Sequence, residues 1–258
     1  MPVLSSAIDH FMLRLSAVPV DPQQRARNGE GPPIEWLTLV NRQALVVRLL
    51  ASTVHDVNNT LQVVSGAAEV LAMDPTPEAI ARRTDSIVGQ ARQATAALQA
   101  LTAFARDLGA PPGRARPKLI ADHALALRMY ALRKARIAAS AQGEDLDCAA
   151  SHGRVLQVLL NLIANAEQAL GGRTGATLAV RVRGEGDMVV VTVEDNGPGL
   201  PPALAAASSA WSPVPGPATG ALGIGLRVSQ ALAAQDGGTL TWSAPPGGGA
   251  VFELSLPR

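Results

Sequence analysis

This chain of 258 residues has almost no cysteine and no large excess of charge of either sign. Cys148 is the single cysteine, so the sequence excludes an internal disulfide and a cysteine-cluster metal site. The 22 Lys and Arg residues nearly balance the 21 Asp and Glu residues, and both kinds are scattered along the sequence. No basic face or tail therefore predicts binding to nucleic acid or to an anionic membrane.

Long apolar runs are missing as well. No segment approaches the roughly 18 uninterrupted apolar residues that a membrane-spanning helix needs, so no membrane span is predicted. The N-terminal apolar stretch contains an acidic residue and a histidine and has no charged leading region, unlike a secretory signal. We therefore expect a cytoplasmic protein. With 47% hydrophobic residues, the chain can build the core of one large domain or of two small ones.

The first half of the sequence has the pattern of two long helices. Residues 1–35 are interpreted as a short helical arm followed by a linker rich in proline and glycine. Residues 36–108 carry apolar positions at alternating steps of three and four, which is the seam of packed helices. The seam of the first helix comprises Val46, Leu50, Val54, Val57, Leu61, Val64, Ala68 and Leu71. Thr76 and Pro77 are a typical helix start, so a second helix should begin there.

A lone helical hairpin would leave much of its apolar surface in water. We therefore expect residues 36–108 to pair with a second copy as a dimeric four-helix bundle. Residues 109–118, again rich in proline and glycine, are predicted to be a linker.

Residues 119–258 change between helical and strand periodicity. Strand patterns occupy residues 177–184 and 188–195, with a turn predicted at Glu185 and Gly186, and the chain closes with a hairpin. These patterns predict an α/β sandwich with one mixed sheet and helices on one face. The fold class is therefore multidomain, α followed by α+β.

His55 lies beside the apolar seam of the first helix, so its ring is expected to face solvent. Asn59 is one helical turn further and shares the same face, while Asp56 is adjacent and can hydrogen-bond the imidazole Nδ1. A carboxylate on one ring nitrogen fixes the tautomer and raises the nucleophilicity of the other nitrogen. An isolated histidine would be an ordinary surface residue, but these neighbours favour a nucleophile with its orienting group.

Two polar motifs in the second half can bind a ligand. Asn161 and Asn165 are four residues apart and project from one face of a helix, where a surface pair and a ligand role are about equally open. Asp195 ends a strand and is followed by Gly197 and Gly199, which permit positive φ and close approach of the backbone to a ligand.

Gly223 and Gly225 open the last predicted helix, whose free N–H groups and dipole would favour phosphate. Each motif is weak alone, but their order and spacing resemble the catalytic core of bacterial sensor histidine kinases over about residues 36–258. "LTAFAR" resembles the end of the second hairpin helix of that family, and "LQVLLNLIANA" resembles its N box.

The resemblance implies a dimerisation and histidine-phosphotransfer hairpin followed by a Bergerat-type ATP-binding domain. The family motif H-[DE]-x-x-[NT] corresponds to His55, Asp56 and Asn59. By this resemblance His55 would attack the γ-phosphate of ATP, Asp56 would orient it and act as base, and Asn59 would position water in a reverse phosphatase reaction. Asn165 would ligate Mg²⁺ through its amide oxygen, with Asn161 lining the same phosphate region.

The resemblance also implies the remaining ligand contacts and the partners. Asp195 would accept a hydrogen bond from the adenine amine. The other implied nucleotide-binding residues are Gly197, Gly199, Gly220, Gly223, Gly225 and Leu226. The phosphoryl group would pass to an aspartate of a response regulator. Because residues 1–35 are too few for a sensor domain, the signal is expected to arrive from a sensor partner in trans or through the arm.

The segment before the last helix departs from the family pattern. Ala221 and Leu222 stand where the family usually has a glycine and a hydroxyl residue. The lid keeps an aromatic residue and a proline, Trp211 and Pro213, but lacks the basic residue that often follows. We therefore expect the β- and γ-phosphates to be loosely held.

Two other functions stay open. The short lid favours a phosphotransfer or adaptor protein with a vestigial nucleotide domain, although the intact Asn165, Asp195 and glycines speak against it. A Bergerat ATPase that uses hydrolysis for conformational work is disfavoured, because such enzymes typically carry a glutamate base at the position of Asn161.

Overall fold

The computed structural model describes residues 33–73, 76–106, 113–201, 204 and 221–258. The first two elements are long helices, α1 (Ile34–Met73, 40 residues) and α2 (Pro77–Arg106, 30 residues). Helix α2 begins with Pro77 in its first position, as predicted, and the Ile80 N–H donates to the Thr76 carbonyl at 2.9 Å. The two helices contact each other and form a helical hairpin.

The predicted seam of α1 is largely exposed within the single chain. Three of its large apolar side chains have exposed fractions of 45%, 53% and 57%: Leu50, Val54 and Leu61. The leucines that α1 does bury belong to the core shared with the C-terminal part of the chain, and they are Leu37, Leu45 and Leu49. The start of α1 therefore packs on the C-terminal domain. The four-helix bundle stays a prediction.

The C-terminal part is built from seven strands and three helices within the described residues. In chain order they are β1 (Gly113–Ala115), α3 (Pro117–Lys134), β2 (Ala138–Gly143), β3 (Cys148–Ala150), α4 (His152–Leu170), β4 (Thr177–Glu185), β5 (Met188–Asp195), α5 (Ala221–Gln235), β6 (Thr239–Ser243) and β7 (Ala250–Pro257). No helix in the ranges given above has the length and apolarity to cross a membrane.

The main sheet has five strands in the order β2-β4-β5-β7-β6. Strand β2 runs parallel to β4 and the other neighbours are antiparallel, so the sheet is mixed, as predicted. Side chains alternate between the two faces of a strand, and on β5 Val189, Val191 and Val193 are buried in the core shared with the helices. Asp195 has the same parity, so it lies at the end of the strand on this helix-covered face.

The predicted linker 109–118 is partly regular structure, which corrects the prediction. Strand β1 pairs antiparallel with β3, with Arg114 opposite Ala149, and α3 already begins at Pro117. Strands of three residues carry too little periodicity to be recognised, and they exist because they pair with each other.

The turn between β4 and β5 is also shifted from its predicted position. Glu185 still pairs with Met188, so the turn consists of Gly186 and Asp187 rather than Glu185 and Gly186. Gly186 has a φ of 58°, a conformation that suits a glycine in a tight hairpin turn.

Helix α4 is the central element behind the site. Ser151 caps its start by accepting a hydrogen bond from the Arg154 N–H at 3.4 Å, and the helix buries its apolar face in the core. Asp236, which follows α5, accepts the Ser151 N–H at 3.2 Å and pairs with the Arg154 guanidinium. On its other side, Glu167 pairs with Arg128 of α3. These ionic contacts fix α4 between α3 and α5.

Candidate functional site

The ring of His55 contacts polar groups at both nitrogens. The Asn59 Nδ2 lies 2.8 Å from Nδ1, so the predicted sharing of one helix face is present as a direct contact. The hydroxyl of Tyr130, on α3, lies 3.1 Å from Nε2. The two rings also face each other, with centroids 4.4 Å apart and planes inclined by 37°. The predicted contact of the Asp56 side chain lies outside the described residues.

The start of α1 contacts the Asn-x-x-x-Asn helix through a second polar cluster. Asn41 and Asn161 exchange two amide hydrogen bonds, at 2.9 and 3.1 Å, and the Gln157 Nε2 donates to the Asn41 Oδ1 at 2.9 Å. The Asn161 Nδ2 also lies within hydrogen-bond distance of the Gly225 carbonyl and the Ser229 hydroxyl. The amide of Asn161 therefore joins α1, α4 and α5. Its predicted place in the phosphate region stays a prediction.

Asn165 differs from Asn161 in that part of its amide is unsatisfied. Its Nδ2 is buried and has no hydrogen-bond partner among the described residues. A buried amide group without a partner is unusual and is expected where a ligand completes the site. An amide oxygen is a hard ligand that suits Mg²⁺ in the presence of phosphate oxygens. The unpaired Nδ2 is a donor, which suits an acceptor atom of a ligand such as a phosphate oxygen. The metal role implied for the amide oxygen of Asn165 stays a prediction.

Asp195 is held tightly at the end of β5. Its side chain is 6% exposed, and its Oδ1 accepts the Gly197 N–H at 2.8 Å. Burial raises the pKa of the Asp195 carboxyl, while backbone N–H groups of Gly197 and Ala250 act in the opposite direction. A Cβ at Gly197 would approach the Asp195 Oδ1 to 2.7 Å, so a larger residue there would displace the carboxylate. A buried carboxylate that accepts from two backbone N–H groups still has lone pairs that an amine ligand can use.

The loop between β6 and β7 supports this turn. The Gly249 N–H donates to the Gly197 carbonyl at 2.9 Å. Gly249 has a φ of 88°, and a Cβ there would lie 2.2 Å from the Asp195 carbonyl oxygen. Gly199 has a φ of 94°, as expected for its predicted backbone freedom. The run of three glycines ending at Gly249 was the available sequence signal for this support, which the motif analysis missed.

The residues predicted around the last helix have different environments. Gly223 lies in the first turn of α5, as predicted for a glycine-opened helix. Gly225 is buried, and a Cβ there would contact Asn161 at 3.5 Å, so it faces α4. The Leu226 side chain is fully buried in the core, and its predicted contact with the nucleotide stays a prediction. Gly220 and the predicted lid, with Trp211 and Pro213, lie outside the described residues.

Residues 151–258 match the family described as histidine kinase-, DNA gyrase B- and HSP90-like ATPase. The fold and this match define the class, an ATP-binding domain built on a mixed sheet covered by helices. The catalytic domain of histidine kinase ThkA superposes with a TM-score of 0.50 at 24% identity, covering 58% of this chain and 97% of that domain. At this identity the likeness concerns the fold alone.

Sequence similarity to known proteins extends beyond residues 151–258 into the helical hairpin. The C4-dicarboxylate transport sensor protein DctS of Rhodobacter capsulatus is 27% identical over 232 residues, covering 86% of this chain and 35% of DctS. The sensory histidine kinase/phosphatase NtrB of Salmonella typhimurium is 28% identical over 266 residues, covering 96% of this chain and 70% of NtrB. The chain thus spans about a third of the length of DctS. Residues 151–258 thus match the ATPase family that includes histidine kinases, and NtrB, a sensory histidine kinase/phosphatase, is similar over most of this chain.

Tyr130 and Asn41 are the contact residues that sequence reasoning missed. Tyr130 is the single tyrosine of the chain, and no local pattern connects it with a histidine 75 residues away. Asn41 lies 14 residues before His55, the first residue of the recognised motif, and 120 residues from Asn161. Both contacts depend on how α1 packs against the ATP-binding core, so only the tertiary structure reveals them.

Proposed function

We propose that this chain is the kinase core of a two-component system, which transfers the γ-phosphoryl group of ATP to His55. The observation that carries the proposal is the environment of His55. Its Nδ1 is held by Asn59 on a helical hairpin that is covalently continuous with an ATP-binding core. A nucleophilic nitrogen with an oriented ring is what phosphoryl transfer to histidine requires.

The proposed step forms one bond and breaks one. The lone pair of His55 Nε2 attacks the γ-phosphorus, and the bond from that phosphorus to the bridging oxygen breaks, with its electron pair leaving on ADP. Asp56, adjacent to His55, is proposed to replace Asn59 at Nδ1 and to take the ring proton from that nitrogen. Asn165 would hold Mg²⁺, which supplies neutralisation of phosphate charge. Asp195 would accept the adenine amine, and the turn at Gly197 and Gly199 would face the nucleotide.

The partners follow from the same proposal. The phosphoryl group passes from His55 to an aspartate of a response regulator. Asn59 is proposed to position water in the reverse phosphatase reaction. The name of the relative NtrB combines kinase and phosphatase activity. The exposed seam of α1 supports a homodimer, and a sensor partner in trans or the N-terminal arm is proposed to supply the signal.

The acceptor is tested by incubating the protein with γ-labelled ATP and Mg²⁺ and following acid-labile label. His55→Ala should abolish the label while leaving nucleotide affinity unchanged. His123→Ala and His152→Ala, which remove histidines of the ATP-binding core, are the matched controls and should keep it. Label that persists on His55→Ala, at any of the other histidines including His10, would contradict the assignment.

A phosphotransfer or adaptor function is the second candidate. It is supported by the Asn161 cluster, in which Asn41, Gly225 and Ser229 already use an amide that was predicted to face the phosphates. Calorimetry with ATP and Mg²⁺ separates the two functions. Measurable binding supports the kinase, whereas a protein that binds no nucleotide but accepts phosphate from a phosphorylated receiver domain supports the adaptor.

A further inference from the structure

Tyr130 occupies the side of the histidine ring from which phosphoryl transfer would take place. The amide of Asn59 can present its NH₂ group or its oxygen to Nδ1, and the two arrangements cannot be told apart from heavy-atom positions. With NH₂ towards Nδ1, the neutral ring carries its proton on Nε2 and donates it to the Tyr130 oxygen. With the oxygen towards Nδ1–H, the Nε2 lone pair accepts the Tyr130 O–H. Either arrangement engages Nε2.

We propose that Tyr130 is a positioning residue that caps His55 and holds it unreactive while α1 is docked on the ATP-binding core. This inference rests on the proposed function, because it concerns the same nucleophile. An attacking nitrogen needs a free lone pair and open space in line with the phosphorus. The Tyr130 hydroxyl at 3.1 Å and its ring at 4.4 Å take up that space. Phosphorylation of Nε2 therefore requires Tyr130 to withdraw.

The helix that carries Tyr130 is firmly anchored in the ATP-binding core. Two residues before it, Arg128 is 6% exposed and pairs with Glu167 of α4. Leu127 and Leu132, on either side of Tyr130, are buried in the core. Helix α3 is therefore a fixed part of the ATP-binding core, so a movement of the core relative to α1 carries Tyr130 away from His55.

The opposite side of the contact is anchored too. Leu45 and Leu49 of α1 are buried in the shared core, and Asn41 hydrogen-bonds Asn161 and Gln157 of α4. Successive turns of α1 thus lie against the ATP-binding core from Asn41 to His55. Withdrawal of Tyr130 from His55 is therefore coupled to undocking of this part of α1. A signal that moves α1 would act directly on the nucleophile.

The kinetic test uses Tyr130→Phe, which removes the hydroxyl and keeps the ring. The initial rate of His55 phosphorylation at saturating ATP should rise roughly fivefold, the effect that one hydrogen bond has on an equilibrium. The apparent ATP affinity should not change. Arg133→Lys, at an exposed position on the same helix, is the matched control and should behave as the parent protein. An unchanged or lower rate for Tyr130→Phe would overturn the proposal.

A spectroscopic test follows the contact itself. Because the chain has a single tyrosine, incorporation of 3-fluorotyrosine gives one ¹⁹F signal, from position 130. His55→Ala should shift this signal, and His123→Ala should leave it in place. An identical signal in the parent protein and in His55→Ala would show that the cap is absent in solution. If neither the parent protein nor Tyr130→Phe takes up label, the proposed function fails, and the ¹⁹F comparison alone decides whether Tyr130 contacts His55.

Discussion

The ATP-binding core and the helical hairpin differ in how far they bury their apolar residues. In the core, the large side chains of α4 are enclosed completely, with Leu156, Leu159 and Ile163 each at 0% exposure. In the hairpin, Leu61 is 57% and Val63 is 48% exposed. The core satisfies its hydrophobic pattern within one chain, whereas much of the hairpin pattern has no partner in the described part of the chain.

This contrast shows that a regular apolar pattern specifies a buried face but not the molecule that covers it. Helix α1 is covered by the same chain near its start, and further along it is open to another molecule. Leu45 and Leu49 are covered by the ATP-binding core of the same chain. Leu61, further along, is free for another surface, and a second copy is the partner proposed for it. Variants of the hairpin and of the ATP-binding core test whether the apolar residues of the two regions are covered by different partners.

The largest expected effect is on assembly. Leu61→Glu would place a carboxylate of each copy in the proposed bundle without a cationic partner, so the dimer should weaken by about 1,000-fold or more, about 4 kcal/mol. Gln62→Glu adds the same charge beside the seam and is the matched control. Light scattering at micromolar concentration measures both. A dimeric Leu61→Glu variant, or a parent protein that is monomeric at that concentration, would refute the proposed bundle.

The second effect concerns the stability of the ATP-binding core. Leu159→Ala removes a fully buried side chain and should lower the free energy of unfolding by about 3 kcal/mol, because a cavity remains. Leu61→Ala makes the same chemical change at an exposed position and should leave unfolding of the core unchanged. Urea denaturation followed by circular dichroism compares the two variants. Equal losses would mean that the hairpin and the core unfold as one cooperative unit.

The sequence predicted the parts of the fold that have a strong internal period. Residues 188–195 were predicted as a strand with the observed bounds, because apolar residues dominate a segment that ends at Asp195. A helix was predicted around Asn161 and Asn165, where α4 lies, since its apolar positions recur at helical spacing. Strand β2, with the sequence AASAQG, was not predicted, because small residues carry no period and the strand forms by pairing with β4.

The candidate site was predictable only where the motif itself carried the contact. The i+4 spacing of His55 and Asn59 predicted a shared face, and the structure has them in contact. The D-x-G-x-G spacing predicted backbone freedom at the two glycines, and Gly199 has a φ of 94°. That the Gly197 N–H donates to the Asp195 carboxylate was not predicted. The contact of Tyr130 with His55 could not be predicted, because it depends on the docking of two helices that are distant in sequence.

A third prediction concerns Asp195. Asp195→Asn should weaken ATP and ADP binding by the same factor, roughly tenfold, because it replaces an acceptor for adenine rather than a phosphate contact. Calorimetry with both nucleotides measures this. Glu194→Gln, the same chemical change at the neighbouring residue, which pairs with Arg181, is the control and should leave both affinities unchanged. Loss of ATP binding with unchanged ADP binding would contradict the assignment of Asp195 to adenine.

The same variant should change the pH dependence of stability. Since burial raises the pKa of Asp195 in the folded protein, its favourable contribution is complete below the unfolded pKa of about 3.9 and is lost as pH rises through the raised folded value. Asp195→Asn removes this titration. Relative to the parent protein, the variant should therefore gain stability between acid pH and neutral pH, as measured by thermal unfolding at a series of pH values.

The smallest expected effect lies at the junction of the two regions. Asn41 hydrogen-bonds the buried side chains of Asn161 and Gln157, so Asn41→Ala and Gln157→Ala should each destabilise the docked helix, and together by less than the sum. A double-mutant cycle in urea should give a coupling free energy of about 1 kcal/mol, the net value of a hydrogen bond between neutral groups. Asn58→Ala, at an exposed position of the same helix, paired with Gln157→Ala should be additive. If the effects of Asn41→Ala and Gln157→Ala were also additive, α1 would not be docked through this contact in solution. The packing of α1 on the ATP-binding core would then start only at Leu45.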